Sequence, residues 1–70
     1  MASDRSALDR LRAQARQARA DGHFTQAARL ERQAVELAGT LGLVGERARA
    51  LLWEGYSLHQ AGEDDLALAA

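Results

Sequence analysis

Arginine and aromatic side chains recur at helical spacing in two parts of this chain. Arg12, Arg16 and Arg19 follow an i, i+4, i+7 pattern, which places them on one face of a helix. A second set repeats that spacing and comprises Arg49, Trp53, Tyr56 and His59, with Gln60 as an alternative to His59. Guanidinium groups bind carboxylates through paired hydrogen bonds, and Trp and Tyr offer flat contact surface. The two sets therefore predict a basic and aromatic groove for an acidic or extended peptide.

A structural arrangement accounts for the same residues without a ligand. The three arginines would then form a solvated face of the first helix. Trp53 and Tyr56 would pack against a short C-terminal helix or against a partner chain. The spacing alone leaves both interpretations open.

Residues for catalysis, metal binding or phosphate binding do not occur in the required patterns. His23 and His59 have no second ligand at the spacing of a helical metal site, and cysteine is absent. The glycines at 39, 42 and 45 lack the Lys-Ser/Thr that follows a phosphate-binding loop. We therefore expect a protein that is not an enzyme, with no catalytic residues, no metal and no cofactor.

Composition predicts one small all-α domain spanning residues 1–70. Alanine and leucine dominate the apolar residues, while proline and isoleucine are absent. All nine basic residues are arginine, which together with the alanine content suggests a bacterial genome of high GC content. The chain has no cysteine for disulfides and no apolar run of the roughly 20 residues that cross a bilayer. The expected setting is the cytoplasm, with no membrane partner.

The net charge of −1 conceals an asymmetry between the two halves of the chain. Residues 1–35 carry seven arginines against four acids, giving +3, and residues 36–70 carry two arginines against six acids, giving −4. A nucleic-acid-binding domain would be strongly basic, so no nucleic-acid partner is expected. Ends of opposite charge fit head-to-tail stacking or a two-fold dimer.

Three apolar or small-residue stripes with a 3-4 spacing predict three helices. The stripes are Leu8, Leu11, Ala15, Ala18 and Gly22; Ala27, Leu30, Ala34, Leu37 and Leu41; and Val44, Ala48, Leu51, Gly55 and Leu58. Turns are predicted at Asp21-Gly22, at 39–42 and at Gly62, with Thr25 capping the second helix and a short fourth helix starting at Glu63 or Asp64. The predicted fold is two antiparallel helical hairpins, about 4–41 and 43–70, the second truncated.

The two predicted hairpins share a pattern forty residues apart. Both have a small residue midway along the first helix, a Gly-containing turn and an Ala early in the second helix. These are Ala15 and Gly55; Gly22-His23-Phe24 and Gly62-Glu63-Asp64; and Ala27 and Ala67. Over about residues 8–70 the pattern resembles the tetratricopeptide repeat family in its long-repeat bacterial type, with one and a half to two repeats. The spacing exceeds the family's usual thirty-four residues, and Gly39 stands where the family usually has proline.

This resemblance implies an α-solenoid fragment that acts as a protein–protein interaction scaffold. The first helix of each hairpin would line one concave face, which would bring the two arginine and aromatic sets together. Gly55 would lie where the third helix closely approaches the second or fourth. Two hairpins leave apolar ends uncovered, so we expect a homodimer through Leu51, Leu58, Leu66 and Leu68. The alternative function is a small obligate homo-oligomeric helical bundle with a structural role.

Overall fold

The chain folds as three consecutive α-helices. The computed structural model describes the backbone of residues 2–69 and the side chains of residues 4–63. The helices are α1 (Ala2–Ala20), α2 (Phe24–Leu41) and α3 (Val44–Ala69). The described backbone contains no strand, and the expected all-α class is confirmed.

Two glycines end the first two helices in the same way. Gly22 and Gly42 have φ angles of 80° and 72°, the left-handed conformation that glycine adopts without a Cβ clash. In each turn the next amide donates back to the helix, from His23 to the Ala18 carbonyl at 2.8 Å and from Leu43 to the Ala38 carbonyl at 2.9 Å. This paired pattern satisfies carbonyls that a helix end would leave exposed. The predicted helix ends at Gly22 and near residue 41 are therefore correct.

The start of α2 differs from the prediction. The helix begins at Phe24, so Thr25 lies inside its first turn and does not cap it. His23 precedes the helix and makes no side-chain capping hydrogen bond. The tight glycine turn fixes the entry of the chain into α2, which leaves no position for Thr25 outside the helix.

Helix α2 lies at the centre and packs against both α1 and α3. The starts of α1 and α3 are joined by an ion pair of Arg5 with Glu46 at 3.4 Å. Nearer the end of α1, the guanidinium of Arg19 lies over the Trp53 ring. Helices α1 and α3 therefore run in the same direction, antiparallel to α2, and border one side of the molecule together.

The core is built mainly from alanine. Its buried apolar residues, among the described side chains, are Leu8, Ala15, Ala18, Ala27, Ala28, Ala34, Val35, Ala38 and Ala50. Small side chains allow close approach of the helices but remove little apolar surface from water. Partly buried leucines seal the end of the core near the second turn, namely Leu11, Leu37, Leu41 and Leu43.

The predicted second hairpin does not form. Helix α3 continues without interruption through Gly62 to Ala69, so there is no turn at Gly62 and no separate fourth helix. Gly62 lacks the positive φ that ends the other two helices. A mid-helix glycine costs only about 1 kcal/mol relative to alanine, and the alanines and leucines that follow it favour helix.

The predicted core stripe of α3 faces away from the molecule. Val44 is 80% exposed, Leu58 56% and Leu51 38%, whereas Ala50 and Ser57 are the fully buried residues of this helix. The alanine-rich face of α2 accepts only small side chains at close range, so the stripe of larger residues turns outward. Leu66 and Leu68, predicted members of this uncovered stripe, lie outside the described side chains.

Gly55 also differs from the prediction of close helix contact. A Cβ atom built on Gly55 would meet no atom within 4 Å. The expected contact with α2 or a fourth helix is therefore wrong within the described residues. Gly55 lies in the middle of the exposed stripe because α3 has turned that face outward.

Candidate functional site

Helices α1 and α3 border a cleft that contains all three aromatic residues of the chain. The cleft has a volume of about 510 Å³ and is lined by Arg12, Arg16, Arg19, Ala20, Phe24, Trp53 and Tyr56. The sequence contains one Phe, one Trp and one Tyr. We call this region the arginine–aromatic cleft. Its volume lies within the range of protein ligand sites, about 300–1,000 Å³.

A buried carboxylate holds two of the three arginines. Glu31, on α2, has no exposed surface. One of its oxygens lies 2.9 Å from Arg12 Nε and the other accepts a hydrogen bond from Arg19 Nη1 at 2.7 Å. Arg12 and Arg19 lie seven residues apart on α1, so one carboxylate bridges two turns of that helix. Because a buried charge is costly unless it is paired, Glu31 and the two arginines form one structural unit.

Arg12 is further anchored to the start of α3. Its Nη1 atom donates to Glu46 Oε2 at 3.4 Å, and Arg5 Nη2 donates to Glu46 Oε1 at the same distance. Glu46 thus links α1 to α3 at one end of the cleft. The charge of Arg12 is shared between two acids and is directed into the protein.

Contacts of Trp53 with Arg19 on one side and with Tyr56 on the other hold the aromatic wall of the cleft in place. Arg19 Cζ lies 4.5 Å from the centroid of the Trp53 ring, within the range of a cation–π contact. Trp53 and Tyr56 meet edge to face, with centroids 5.5 Å apart and an interplanar angle of 82°. Trp53 remains 38% exposed and Tyr56 45%. The arrangement fixes the rings while leaving much of their surface free for a contact.

Arg16 is the cleft arginine whose guanidinium is not paired with an acid among the described side chains. It is exposed, and it forms no ion pair with any residue whose side chain the structure describes. It lies one turn from both Arg12 and Arg19 on α1. A guanidinium in this position can bind a carboxylate beside the aromatic wall.

Five of the seven predicted contact residues line this cleft, namely Arg12, Arg16, Arg19, Trp53 and Tyr56. The other two lie elsewhere. Arg49 lines a separate depression at the start of α3, together with Arg5. His59 points away and contacts Glu63 at 2.8 Å. Two steps of three residues carry His59 about 120° around α3 from Trp53, and His59 does not line the cleft.

Three residues at this site were not predicted from the sequence, namely Glu31, Glu46 and Phe24. Glu31 carried a usable signal, because it lies four residues after Ala27 and three before Ala34, on the apolar stripe of α2. An acid on such a stripe needs a buried cation, and the arginines of α1 are the available cations. Glu46 and Phe24 have no comparable signal, since their roles depend on how α3 lies beside α1.

The described residues contain neither a cluster of metal ligands nor a membrane-spanning helix. No group of three or more His, Cys, Asp or Glu side chains comes together there. No helix in residues 2–69 has both the length and the apolarity needed to cross a membrane.

The chain matches no protein-family model, no curated protein and no solved structure at a significant level.

Proposed function

We propose that this protein is a non-catalytic interaction module that binds an acidic peptide segment, or the C-terminal carboxylate of a partner protein, in the arginine–aromatic cleft. The observation that carries the proposal is the convergence of all three aromatic residues and three arginines on one cleft. Exposed aromatic rings beside a guanidinium are typical of the residues that dominate protein interfaces.

The cleft residues divide into supporting and contacting groups. Arg12 and Arg19 balance the buried carboxylate of Glu31 and keep the walls in place. Arg16 is left to attract an anionic group, and Trp53 and Tyr56 provide apolar contact. The cleft contains three arginines, and their acidic partners are the buried Glu31 and Glu46, which also pairs with Arg5. The cleft therefore has a net positive charge, which favours acidic ligands.

The resemblance to tetratricopeptide repeats fits this proposal for the first hairpin. The first hairpin has the small residue, the turn and the early alanine that carry the resemblance, namely Ala15, Gly22-His23-Phe24 and Ala27. Helices α1 and α3 would correspond to the first helices of successive units, and the cleft lies between them. We propose a fragment of such a scaffold in the cytoplasm of a bacterium, with α3 in place of a complete second hairpin.

The alternative function is a homo-oligomeric helical bundle with a structural role. It is favoured by one observation, the exposed apolar face of α3. This face comprises Val44, Leu51, Leu52 and Leu58, none of which lines the cleft. Peptide binding and self-association are therefore separable properties of the molecule.

Peptide binding is measured through the fluorescence of Trp53, the single tryptophan of the chain. An acidic peptide with a free C-terminus, its amidated form and a neutral peptide serve as probes. We expect binding of the acidic peptide that weakens as salt rises, because exposed charges are screened over about 8 Å at physiological salt. Arg16→Gln should lower the affinity about tenfold, mainly through slower association. Tyr56→Ala should act mainly on release.

Arg10→Gln is the matched control, since Arg10 is also exposed on α1 but does not line the cleft. It removes the same charge from the same helix. Equal peptide affinities for the Arg16 and Arg10 variants would show that the arginines are only a solvated face. The amidated peptide separates recognition of the terminal carboxylate from recognition of acidic side chains.

A further inference from the structure

The outward face of α3 is the most apolar exposed surface among the described residues. It consists of residues that follow a 4-3-4-3-4 spacing, together with Leu52, and we call it the α3 seam. Its members are Val44, Ala48, Leu51, Leu52, Gly55, Leu58 and Gly62, and the exposed His59 lies among them on the same face. Leu52 and Leu58 are 70% and 56% exposed. This spacing is that of a coiled-coil seam, which is stable when it faces another helix.

The charged residues in the first half of α3 lie on its inward and lateral sides. Glu46 pairs with Arg5 and Arg12 of α1, and Glu54 pairs with Arg32 of α2 at 2.8 Å. The side chain of Arg47 lies beside Gly39 of α2. A solvated surface helix shows the reverse pattern, with charges outward and apolar residues inward. The seam is therefore built to be covered.

Small residues mark the middle of the seam at intervals of seven. They are Ala48, Gly55 and Gly62, and a Cβ added at either glycine would meet nothing within 4 Å. Both glycines lie in helical backbone, where glycine is unfavourable by about 1 kcal/mol relative to alanine. Open space over these positions leaves room for a second helix backbone at short range.

The distribution of charge along α3 favours a second copy in antiparallel orientation. Arg47 and Arg49 lie in its N-terminal half, and the acids at 63–65 lie in its C-terminal half. Antiparallel pairing about Gly55 places Arg47 opposite Glu63 of the second copy, whereas parallel pairing places the acids of the two copies together.

The residue types of the seam are also similar at equal distances before and after Gly55. Ala48 and Gly62 are equally spaced from Gly55, and so are Leu52 and Leu58. A two-fold axis at Gly55 therefore sets small residues against small residues and leucine against leucine. Helix α3 has 26 residues and is about 39 Å long, which provides an extended contact.

We propose that the protein forms an antiparallel homodimer in which the two α3 seams pack together around Gly55. None of the seam residues lines the arginine–aromatic cleft, so each copy keeps its cleft open. The interface does not depend on the proposed peptide binding.

Sedimentation equilibrium over a range of protein concentrations tests the association. The chain has a mass of 7.6 kDa, and we expect twice that mass at high concentration. Leu51→Glu with Leu58→Glu should raise the dimer dissociation constant at least about 100-fold, because four exposed leucines per dimer lose their apolar contact. The helical circular dichroism of this variant should stay that of the dilute wild type, since neither side chain belongs to the core.

Gln26→Glu is the matched control, an added charge at an exposed position on α2 that borders α1 and not α3. A monomeric wild type at several hundred micromolar would overturn the proposal. So would a dimer that persists unchanged in the double leucine variant, because its interface would lie elsewhere.

Disulfide cross-linking determines the orientation. The chain has no cysteine, so Ala48→Cys and Gly62→Cys each introduce a single thiol. A mixture of the two variants should form the mixed disulfide, and neither alone should cross-link efficiently. Positions 48 and 62 are about 21 Å apart along the helix, whereas a disulfide requires Cα atoms within about 7 Å. Efficient 48–48 and 62–62 disulfides would show a parallel pair and overturn the antiparallel arrangement.

Discussion

The α1–α2 hairpin and helix α3 follow the same helical periodicity but use it in opposite ways. In the hairpin, large apolar residues of the predicted stripes turn inward, and Leu8 has no exposed surface. In α3 the fully buried residues are Ala50 and Ser57, while Leu52 and Leu58 are 70% and 56% exposed. A periodic stripe therefore shows that a helix has a face to cover. It does not show whether the cover comes from the same chain.

The charged residues differ between the two regions in a related way. Helix α2 of the hairpin buries Glu31 between two arginines of α1, which ties the helices together through a specific ion pair. The outward face of α3 is mainly apolar among its described residues, and its charged Glu63 pairs with His59 of the same helix at 2.8 Å. The apolar residues of the hairpin are thus covered within the chain, whereas one apolar face of α3 is left uncovered by it.

The largest expected effect tests the ion pair that closes the hairpin. Glu31→Gln keeps the shape of the side chain but leaves Arg12 and Arg19 without their shared carboxylate. Breaking a buried ion pair costs about 3–5 kcal/mol, against a total stability of roughly 4–10 kcal/mol for 70 residues. Urea unfolding followed by circular dichroism should show a large loss or no cooperative transition. Glu36→Gln, an exposed change on the same helix, should stay within about 0.5 kcal/mol, and equal losses in both variants would contradict this role of Glu31.

The sequence predicted the hairpin well because its signals are local. The glycines at 22 and 42 end helices through backbone geometry, and Leu8 and Ala15 share a stripe that α2 covers. Five cleft residues came from spacing on two helices, because α1 and α3 lie side by side. The contribution of Glu31 was missed, since its pairing depends on contacts between residues distant in the chain.

The predictions for α3 failed where the choice between two faces depended on a neighbour. Both the outward stripe and the stripe of Ala50 and Ser57 repeat at helical spacing, and apolarity favoured the former. The helix instead presents its smaller residues to the alanine-rich face of α2. Similarly, Gly62 was predicted to end a helix. Glycine ends a helix when it adopts the left-handed conformation, as Gly22 and Gly42 do and Gly62 does not.

A pair of leucine truncations sharpens the contrast between the two regions. Leu8→Ala should destabilise the protein by about 2–4 kcal/mol, because Leu8 is fully buried in the core. Leu52→Ala, at a site that is 70% exposed, should cost less than about 0.5 kcal/mol in dilute solution. Thermal unfolding at two protein concentrations measures both. If α3 pairs as proposed, the cost of Leu52→Ala grows with concentration while that of Leu8→Ala does not, because only dimer stability depends on mass action.

Two glycine substitutions should have smaller effects than Leu8→Ala, with opposite signs in the two regions. Gly22 has a φ of 80°, so Gly22→Ala forces an alanine into a left-handed conformation at a cost of about 1–2 kcal/mol. Gly55 lies in ordinary helix with open space around it, so Gly55→Ala should stabilise the dilute protein by up to about 1 kcal/mol. Urea unfolding at low micromolar concentration isolates these effects from association. A loss of stability for Gly55→Ala under those conditions would mean that another part of the same chain contacts this face, and the hairpin and α3 would then not differ in the way described. A gain in dilute solution combined with weaker dimerisation at high concentration would instead identify Gly55 as a point of close approach between two copies.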